Sequence, residues 1–549
     1  MNLFIIKSQD LNDLKNTKPI TLSGGINVQT GFYGMKGANA RQPGFTYILN
    51  GSPTLNVYGV SLPFSFTFSN FQRDFRQPFN QFGLSPTYKW VTVHAGYRNI
   101  SYSQFGMAGY TLLGGGIELK PKKFKFSVLY GRSQKAIQDD TAKKIESNLN
   151  GINYPAYKRM LTSVNFGYGT ADNYIDLNFL KGKDDSSSLL FRPITQQINP
   201  SKNQVYSAKT QLSFFKKKLI YQAEGAISAF TRDLGFETID AGNNLVNKLV
   251  KANISTQLYS AIETQLNYNV STYGVGIKYR KVAPDYKSMG AYFFQSDFEQ
   301  LLLNGKLNAF KSKLRLNGSY GQQKDNLQKK KFATTIRNVY NATISLAPNE
   351  KWGIDAVISN YGTSQRAGTR NLSDTAQINQ INSAFTITPR YTQIKEKTIN
   401  NFLLIVGKQS LDDKNKNTEI YTKVDMLFAN LLWSKSMLKT NINFNTGLNY
   451  NQSETRAGKI ALYGVLAGMS KSWKNGKYTM DLNTNINSTS FNDKQNGLNA
   501  SLQYNAGMKM GKKHQLQLSS NYLINQSKNQ SAGSDFSEYF VRLNYGFSF

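Results

Sequence analysis

Residues 539–549 read YFVRLNYGFSF, and the alternation within them decides the fold. Tyr539, Val541, Leu543, Tyr545, Phe547 and Phe549 take every second position; Phe540, Arg542, Asn544, Gly546 and Ser548 fall between them. Successive side chains of a strand point to opposite faces, so one face of this segment is apolar and aromatic while the other is mostly small or polar. The same period continues upstream. In 496–510, Leu498, Ala500, Leu502, Tyr504, Ala506, Met508 and Met510 oppose Asn499, Ser501, Gln503, Asn505, Gly507 and Lys509. In 477–487, Tyr478, Met480, Leu482 and Ile486 oppose Asp481, Asn483, Asn485 and Asn487. Period two persists with no helical stretch between. The second face is mostly Asn, Ser, Thr, Gln and Gly, which suits a hydrated interior.

The chain of 549 residues carries 66 basic and 33 acidic side chains, a net charge of +33, and no cysteine. That excludes a disulfide framework and Cys-ligated metal. Aromatic content is 13 % although mean hydropathy is −0.46. Disordered chains are poor in aromatics; these rings need an apolar place, and strands crossing a membrane with one wet face supply it. No run reaches the roughly 20 apolar residues of a membrane helix; the best, 460–469, is about half that. A chain that spans without helices must close into a barrel, because every backbone group has to be satisfied in lipid.

Connectors fall into two alternating classes. Tight turns are predicted near 121–123, 170–172, 216–218, 311–313, 348–351, 395–397, 434–436, 474–477 and 511–513. Longer loops are predicted at 133–154, 183–202, 231–245, 279–296, 322–331, 366–382, 411–417, 451–459, 490–497 and 526–534. Short turns at one end and long loops at the other mark outer-membrane barrels, with the turns periplasmic. The expectation is all-β: one large antiparallel transmembrane β-barrel of about 22–24 strands. Trp352, Trp433 and Trp473 adjoin short turns, as an aromatic girdle would; by simple counting Trp90 and Trp433 fall on the opposite face from the other two. The expected division is an N-terminal extension over 1–18 and the barrel over 19–549. Within it 19–86, punctuated by Pro43, Pro53, Pro63, Pro78 and Pro86, is irregular: either wall strands with unusual connections or a segment partly inside the lumen.

The terminal strand resembles the C-terminal strand of Gram-negative outer-membrane β-barrel proteins, with an aromatic last residue and apolar residues at alternate positions before it; the Gly stands at 546 where that family often has it at 544. The resemblance implies that Val541, Leu543, Tyr545, Phe547 and Phe549 form an assembly signal read by the barrel-assembly machinery. It also implies a multi-pass protein of the Gram-negative outer membrane, in contact with its lipid and lipopolysaccharide. The first residues, MNLFIIKSQDLND, lack a signal peptide's features, so the numbering is expected to start at or near a mature or truncated end. No stretch the size of a TonB-dependent transporter's plug precedes the strands, which disfavours that class.

Catalytic or metal chemistry finds little footing, and neither an enzyme nor a cofactor is expected. His94 and His514 lack recognisable partners. Asp139-Asp140 and Asp412-Asp413 lack the spacing of a calcium loop and read as solvated charge. Gly114-Gly115-Gly116 lies inside an alternating segment and has no G-x-G-x-x-G spacing. Of three readings of the positive charge, nucleic-acid binding is disfavoured because Lys is scattered over turns and loops with no binding motif. The others are contact with anionic lipopolysaccharide, with inward residues biasing a pore toward anions, and docking of acidic outer-membrane protein partners. A Lys or Arg facing lipid at midplane costs roughly 2–4 kcal/mol, so Arg542, Lys509 and Asp481 are expected to face the lumen. The functional expectation is a wide pore or transport channel with an anion bias; the alternative is a non-conducting accessory subunit of an outer-membrane secretion or assembly complex. A loop-borne adhesin or barrel enzyme is a third class.

Overall fold

A computed structural model of the chain describes residues 19–57, 60–70, 83–138, 155–190, 198–239, 250–291, 295–367, 377–528 and 535–549. The 1–18 extension and the Asp139-Asp140 pair lie outside the described residues. Nearly every element is a strand. The first group is β1 (Ile20–Ser23), β2 (Gly25–Lys36), β3 (Phe45–Gly51), β4 (Thr54–Val57), β5 (Val60–Ser69), β6 (Gly83–Leu84), β7 (Thr87–Tyr88), β8 (Val91–Ser101), β9 (Ala108–Leu119) and β10 (Phe124–Gln134). The second is β11 (Arg159–Gly169), β12 (Tyr174–Asp184), β13 (Lys202–Phe214), β14 (Leu219–Thr231), β15 (Thr256–Asn269), β16 (Tyr273–Val282) and β17 (Phe298–Ala309). The third is β18 (Leu314–Asp325), β19 (Ala333–Leu346), β20 (Trp352–Ala367), β21 (Asn379–Ile394), β22 (Thr398–Asp413), β23 (Val424–Met437), β24 (Ile442–Thr455), β25 (Gly458–Trp473), β26 (Tyr478–Phe491), β27 (Lys494–Met510), β28 (His514–Ser527) and β29 (Phe536–Ser548). One short helix, α1 (Glu419–Thr422), lies in a loop.

With β1–β2, β3–β4 and β6–β7 each counted as one course, every wall strand pairs antiparallel with its sequence neighbours, and β29 pairs with β2 from Gly25↔Ser548 to Lys36↔Ser537. The result is a nearly closed antiparallel barrel of 26 wall strands. The count exceeds the expected 22–24 because the segment read as irregular is wall. β1 continues into β2 past Gly24 (φ +127°), β3 into β4 past Ser52-Pro53, and β6 into β7 past Ser85-Pro86. Pro and positive-φ Gly interrupt ladder hydrogen bonds without ending a strand's course. Among the described residues the wall is thinnest beside β5, where only Phe64↔Leu84, Ser65↔Gly83 and Ser61↔Thr87 join it to β6 and β7.

One end of the barrel carries compact turns, including 120–123, 215–218, 310–313 and 474–477. Their sharpness comes from left-handed backbone: Phe215, Lys216 and Lys217 take φ of 53°, 55° and 68°. The other end carries the longer connectors, among them 185–201, 232–255 and 283–297. Three sequence expectations are corrected here. The predicted loops 451–459 and 490–497 are mostly strand, closed by tight turns at 456–457 and 492–493. Asn492 and Asp493 both accept positive φ (47° and 62°), which lets a two-residue turn match the twist of its strands. The turn predicted at 434–436 sits at 438–441, because β23 runs on to Met437.

Direct cross-strand partners share a face, so the register separates the two surfaces around the whole circuit. One face carries exposed aromatic and aliphatic side chains, such as Phe126, Phe166, Leu177, Ile262, Leu431, Val465, Leu502 and Leu543. The other holds Asp176, Lys209, Glu224, Glu263, Arg280, Arg337, Asp481 and Arg542 with rows of Asn and Gly. The first is the outer surface and the second the lumen. Inner glycines make room for amides: a Cβ on Gly464 would lie 1.9 Å from both Asn449 Oδ1 and Asn487 Oδ1.

Candidate functional site: an insert on the lumenal wall

Two long-end connectors turn inward instead of outward. Residues 102–107 join β8 to β9, and residues 283–297 join β16 to β17; of the latter, 283–291 and 295–297 are described. The first is a tight hook. Ser103 N donates to Met107 O at 3.2 Å, while Phe105 N and Gly106 N donate to Ser103 Oγ at 3.2 and 3.0 Å. The second locks onto it. Tyr286 Oη donates to Phe105 O at 2.8 Å, Ser288 Oγ to Gly106 O at 2.6 Å, and Ala108 N to Gly290 O at 2.9 Å. Gly290 is required at this crossing: a Cβ there would sit 2.7 Å from Gly106 O.

Both connectors lie on the inner face of β11–β17. Phe105, Met107, Tyr286 and Met289 pack against Leu161, Leu180, Val205, Ala226, Ala261, Val282 and Phe298. Phe105 and Val282 are wholly buried, so this patch of wall is a true core. Burying each large side chain contributes about 1.5–3 kcal/mol, and polar anchors fix the geometry. Ser103 Oγ donates to Glu224 Oε1 at 2.5 Å and accepts from Ser207 Oγ at 2.9 Å. Asn203 accepts Met289 N at 3.0 Å and donates to Ser228 Oγ at 2.8 Å, and Ser228 in turn donates to Lys287 O at 2.7 Å. Burial pushes the Tyr286 hydroxyl's pKa up, so it stays protonated and keeps donating.

Charge gathers beside the insert. The Arg280 guanidinium lies over Phe105 and Phe298, 5.4 and 5.6 Å from their ring centres. Glu263 Oε2 forms ion pairs with Lys278 Nζ at 2.9 Å and Arg280 Nη1 at 3.4 Å. On the short-turn side a polar hollow of about 340 Å³ is lined by Tyr102, Gln104, Lys209, Gln222, Glu224 and Glu263. A polar hollow beneath a fixed shelf can narrow a passage and bind a hydrated solute; among the described residues no group of three or more His, Cys, Asp or Glu side chains could hold a metal.

The residues singled out from sequence lie elsewhere. Arg542, Lys509 and Asp481 are on the inner face but apart from one another. Asp481 and Arg542 share a register row with Asn505 and Ser519 between them, and Lys509 pairs with Gln515 near the short-turn rim. Val541, Leu543, Tyr545 and Phe547 are on the outer face, and Phe549 N donates to Gly24 O at 3.1 Å. Trp352, Tyr391, Phe402 and Trp433 form one outer row beside the short turns, and Trp473 stacks on Tyr478 at 5.8 Å. Trp433 is therefore on the same face as Trp352, contrary to simple counting; Leu431 and Leu432 are both apolar and hide the parity. Trp90 sits in a turn, outside the alternation. His94 is buried on the inner face, its Nδ1 2.6 Å from Ser85 Oγ and its Nε2 3.5 Å from Glu118, while His514 faces outward and stacks on Phe547 at 4.7 Å. Asp413 accepts Thr418 and Thr422 at 2.6 and 2.7 Å beside α1. The insert was missed in the sequence. Its only signal is Phe105, Met107, Tyr286 and Met289, and connectors such as 185–201 and 232–255 carry apolar residues too, so sequence alone does not single these out.

No family model matches the chain and no curated protein does. Among solved structures, the P pilus usher (PapC) translocation pore is 10 % identical, covering 96 % of this chain and all of that one at a TM-score of 0.36. The ferric preacinetobactin receptor BauA from Acinetobacter baumannii is 10 % identical over 96 % of this chain and 81 % of that one, TM-score 0.37. OccAB2 from Acinetobacter baumannii is 11 % identical over 68 % and 97 %, TM-score 0.33. The functional reading therefore rests on this chain's own geometry.

Proposed function

We propose that the chain spans the outer membrane of a Gram-negative bacterium as a multi-pass β-barrel and conducts solutes through a lumen narrowed on one side by the insert. The observation that carries this reading is the segregation of faces: an apolar outer face around 26 strands, and an inner face that is mostly polar apart from the core beneath the insert and one row of leucines. A circular barrel of that size is roughly 50 Å across at standard strand spacing and tilt. Among the described residues the insert packs against β9 and β11–β17, leaving room beside it. In this reading the outer row Trp352–Trp433, with Trp473, is the girdle at the periplasmic interface. The outer face of β29 serves as the assembly signal, and lipopolysaccharide meets the long-loop rim.

An anion bias is supported by inner cations without a carboxylate in ion-pair reach among the described residues: Lys306, Arg315, Arg337, Lys509 and Arg542. It is held in check by wall pairs such as Lys125–Asp176 at 3.4 Å and Arg390–Asp355 at 3.8 Å. The test is single-channel recording of the purified barrel in planar bilayers. Stable steps whose reversal potential in a salt gradient favours chloride are expected; a protein that inserts yet stays silent overturns conduction.

One observation favours a second reading. Leu403, Leu432 and Leu466 form an apolar inner row, with Gly447 giving Leu432 its space. An aqueous passage offers no reason for such a row, whereas a protein segment resting in the lumen does. A silent barrel that copurifies with other outer-membrane proteins would support an accessory subunit of a secretion or assembly complex.

A further inference from the structure

The outer face near the long-loop rim carries a group of cations that the lumen reading does not use. Arg132 on β10 pairs in register with Met160 on β11, Met160 with Lys183 on β12, and Lys183 with Lys202 on β13. Arg132, Lys183 and Lys202 thus share one row of the outer surface. Lys181, opposite Gln204, sits one step below it. Lys251 adds a fifth charge from the neighbouring loop, within electrostatic reach of Lys202. Lys202 is held in place by a 2.7 Å hydrogen bond from Nζ to Val250 O, and Lys181 and Lys183 are exposed.

Acid lies beside this group but is already engaged. The inward cation Arg159 is matched by Asp184 at 2.7 Å, and one step further toward the loop Asp185 is taken by Lys158 at 3.6 Å. Some outward cations elsewhere on the wall meet acid: Lys408 reaches Asp425 at 3.8 Å, and Lys281 stands directly opposite Glu299, whereas Lys435 and Lys471 stand singly rather than in a group. Among the described residues, none of Arg132, Lys181, Lys183 and Lys202 has a carboxylate within ion-pair distance. Like charges on adjacent strands repel, so an arrangement of this kind is stable when an external anion sits among them. Directly below lies apolar surface: Val128, Val164, Phe179, Tyr206 and Ile227 form the next outer row but one. A multiply charged head above and a hydrocarbon-compatible wall below describe a lipid, and not a soluble anion.

We infer that Arg132, Lys181, Lys183 and Lys202 form a binding site for a phosphorylated glycolipid of the outer leaflet, with its phosphates among the four cations and its acyl chains along Phe179, Tyr206 and Ile227. The inference rests on the membrane reading above and names one lipid contact within it. Guanidinium and ammonium groups suit phosphate oxygens through charge-assisted hydrogen bonds, and the cost of cations at a lipid face falls to about 0–1 kcal/mol near the interface.

The experiment is native mass spectrometry of the detergent-solubilised barrel with bis-phosphorylated lipid A, with dephosphorylated lipid A, and with inorganic phosphate as competitor. The bis-phosphorylated form should bind at least tenfold tighter than the dephosphorylated one. K181Q/K183Q should lose about that factor, R132Q alone a smaller part of it, and K408Q none. Equal binding of dephosphorylated lipid A overturns the site, as does undiminished binding by both K181Q/K183Q and R132Q. Displacement of the lipid by millimolar phosphate would assign the cluster to a free anion and overturn it too. Heat-modifiable migration checks that each variant is a folded barrel, and R132Q carries the test if the double variant is not. Failure of the membrane reading looks different: wild-type protein would not enter liposomes at all.

Discussion

Inside the barrel, β11–β17 and β18–β29 are built on different principles. Along β11–β17 the inner surface is a packed core, with Leu161, Leu180, Val205 and Val282 nearly or wholly buried under 102–107 and 283–291. Along β18–β29, among the described residues, no inner apolar side chain is buried. There the wall holds through its ladder hydrogen bonds and amide contacts such as Asn449 Nδ2 to Asn487 Oδ1 at 3.1 Å. A closed sheet of this width cannot fill itself from its own side chains. The chain fills one sector by folding connectors inward, and among the described residues no connector buries the inner face of β18–β29. Volume-changing substitutions should therefore matter on both faces of the first sector, and only on the outer face of the second.

The largest expected effect is on the filled side. Phe105→Ala removes the ring that Tyr286 and Arg280 rest against, and truncation of a buried Phe costs about 3–5 kcal/mol. The insert should detach, seen as new protease cleavage within 102–107 and as larger, noisier conductance steps. Unchanged cleavage would mean that the hydrogen bonds alone hold it. Next comes a pair within the bare side. Val465→Lys, on the outer face at mid-strand, should lower stability in lipid by about 2–4 kcal/mol, while Ser501→Lys on the inner face should leave it near wild type. Urea unfolding from vesicles measures both, and the reverse order would invert the faces. Smallest is Ser103→Ala, which takes from Glu224 its hydroxyl donor at a cost of about 1–3 kcal/mol. Faster hydrogen exchange at the amides of Phe105 and Gly106 would register it, with no change in β18–β29.

The same contrast explains what was legible. β24–β29 show clean alternation because each face meets a uniform medium, lipid or water, so composition follows period two. Where the inner face meets protein, apolar residues appear on both sides and parity blurs: Val205 opposes Tyr206, and Leu180 opposes Phe179. Leu431-Leu432 put apolar side chains on both faces of β23 as well, although no described connector covers it, and hid the orientation of Trp433. Near the start of the wall, Gly24, Pro53 and Pro86 look like breaks, yet the register runs past each, and the strand count came out low for that reason. Asn492-Asp493 read as loop because nothing in a pair of polar residues distinguishes a two-residue turn from the middle of a longer excursion. The insert was invisible to periodicity altogether. It is a tertiary choice made by four apolar side chains within connectors.

Closure joins β2 to β29, so the two partners of that seam lie more than 500 positions apart along the chain: Gly25 opposite Ser548 and Lys36 opposite Ser537. Contacts so distant in sequence form slowly. Until β29 docks, β2 presents a bare row of donors and acceptors that any stray strand could capture. Closing the wall is thus a waiting problem: the free edge of β2 has to be kept from other partners until the last strand of the circuit arrives to claim it.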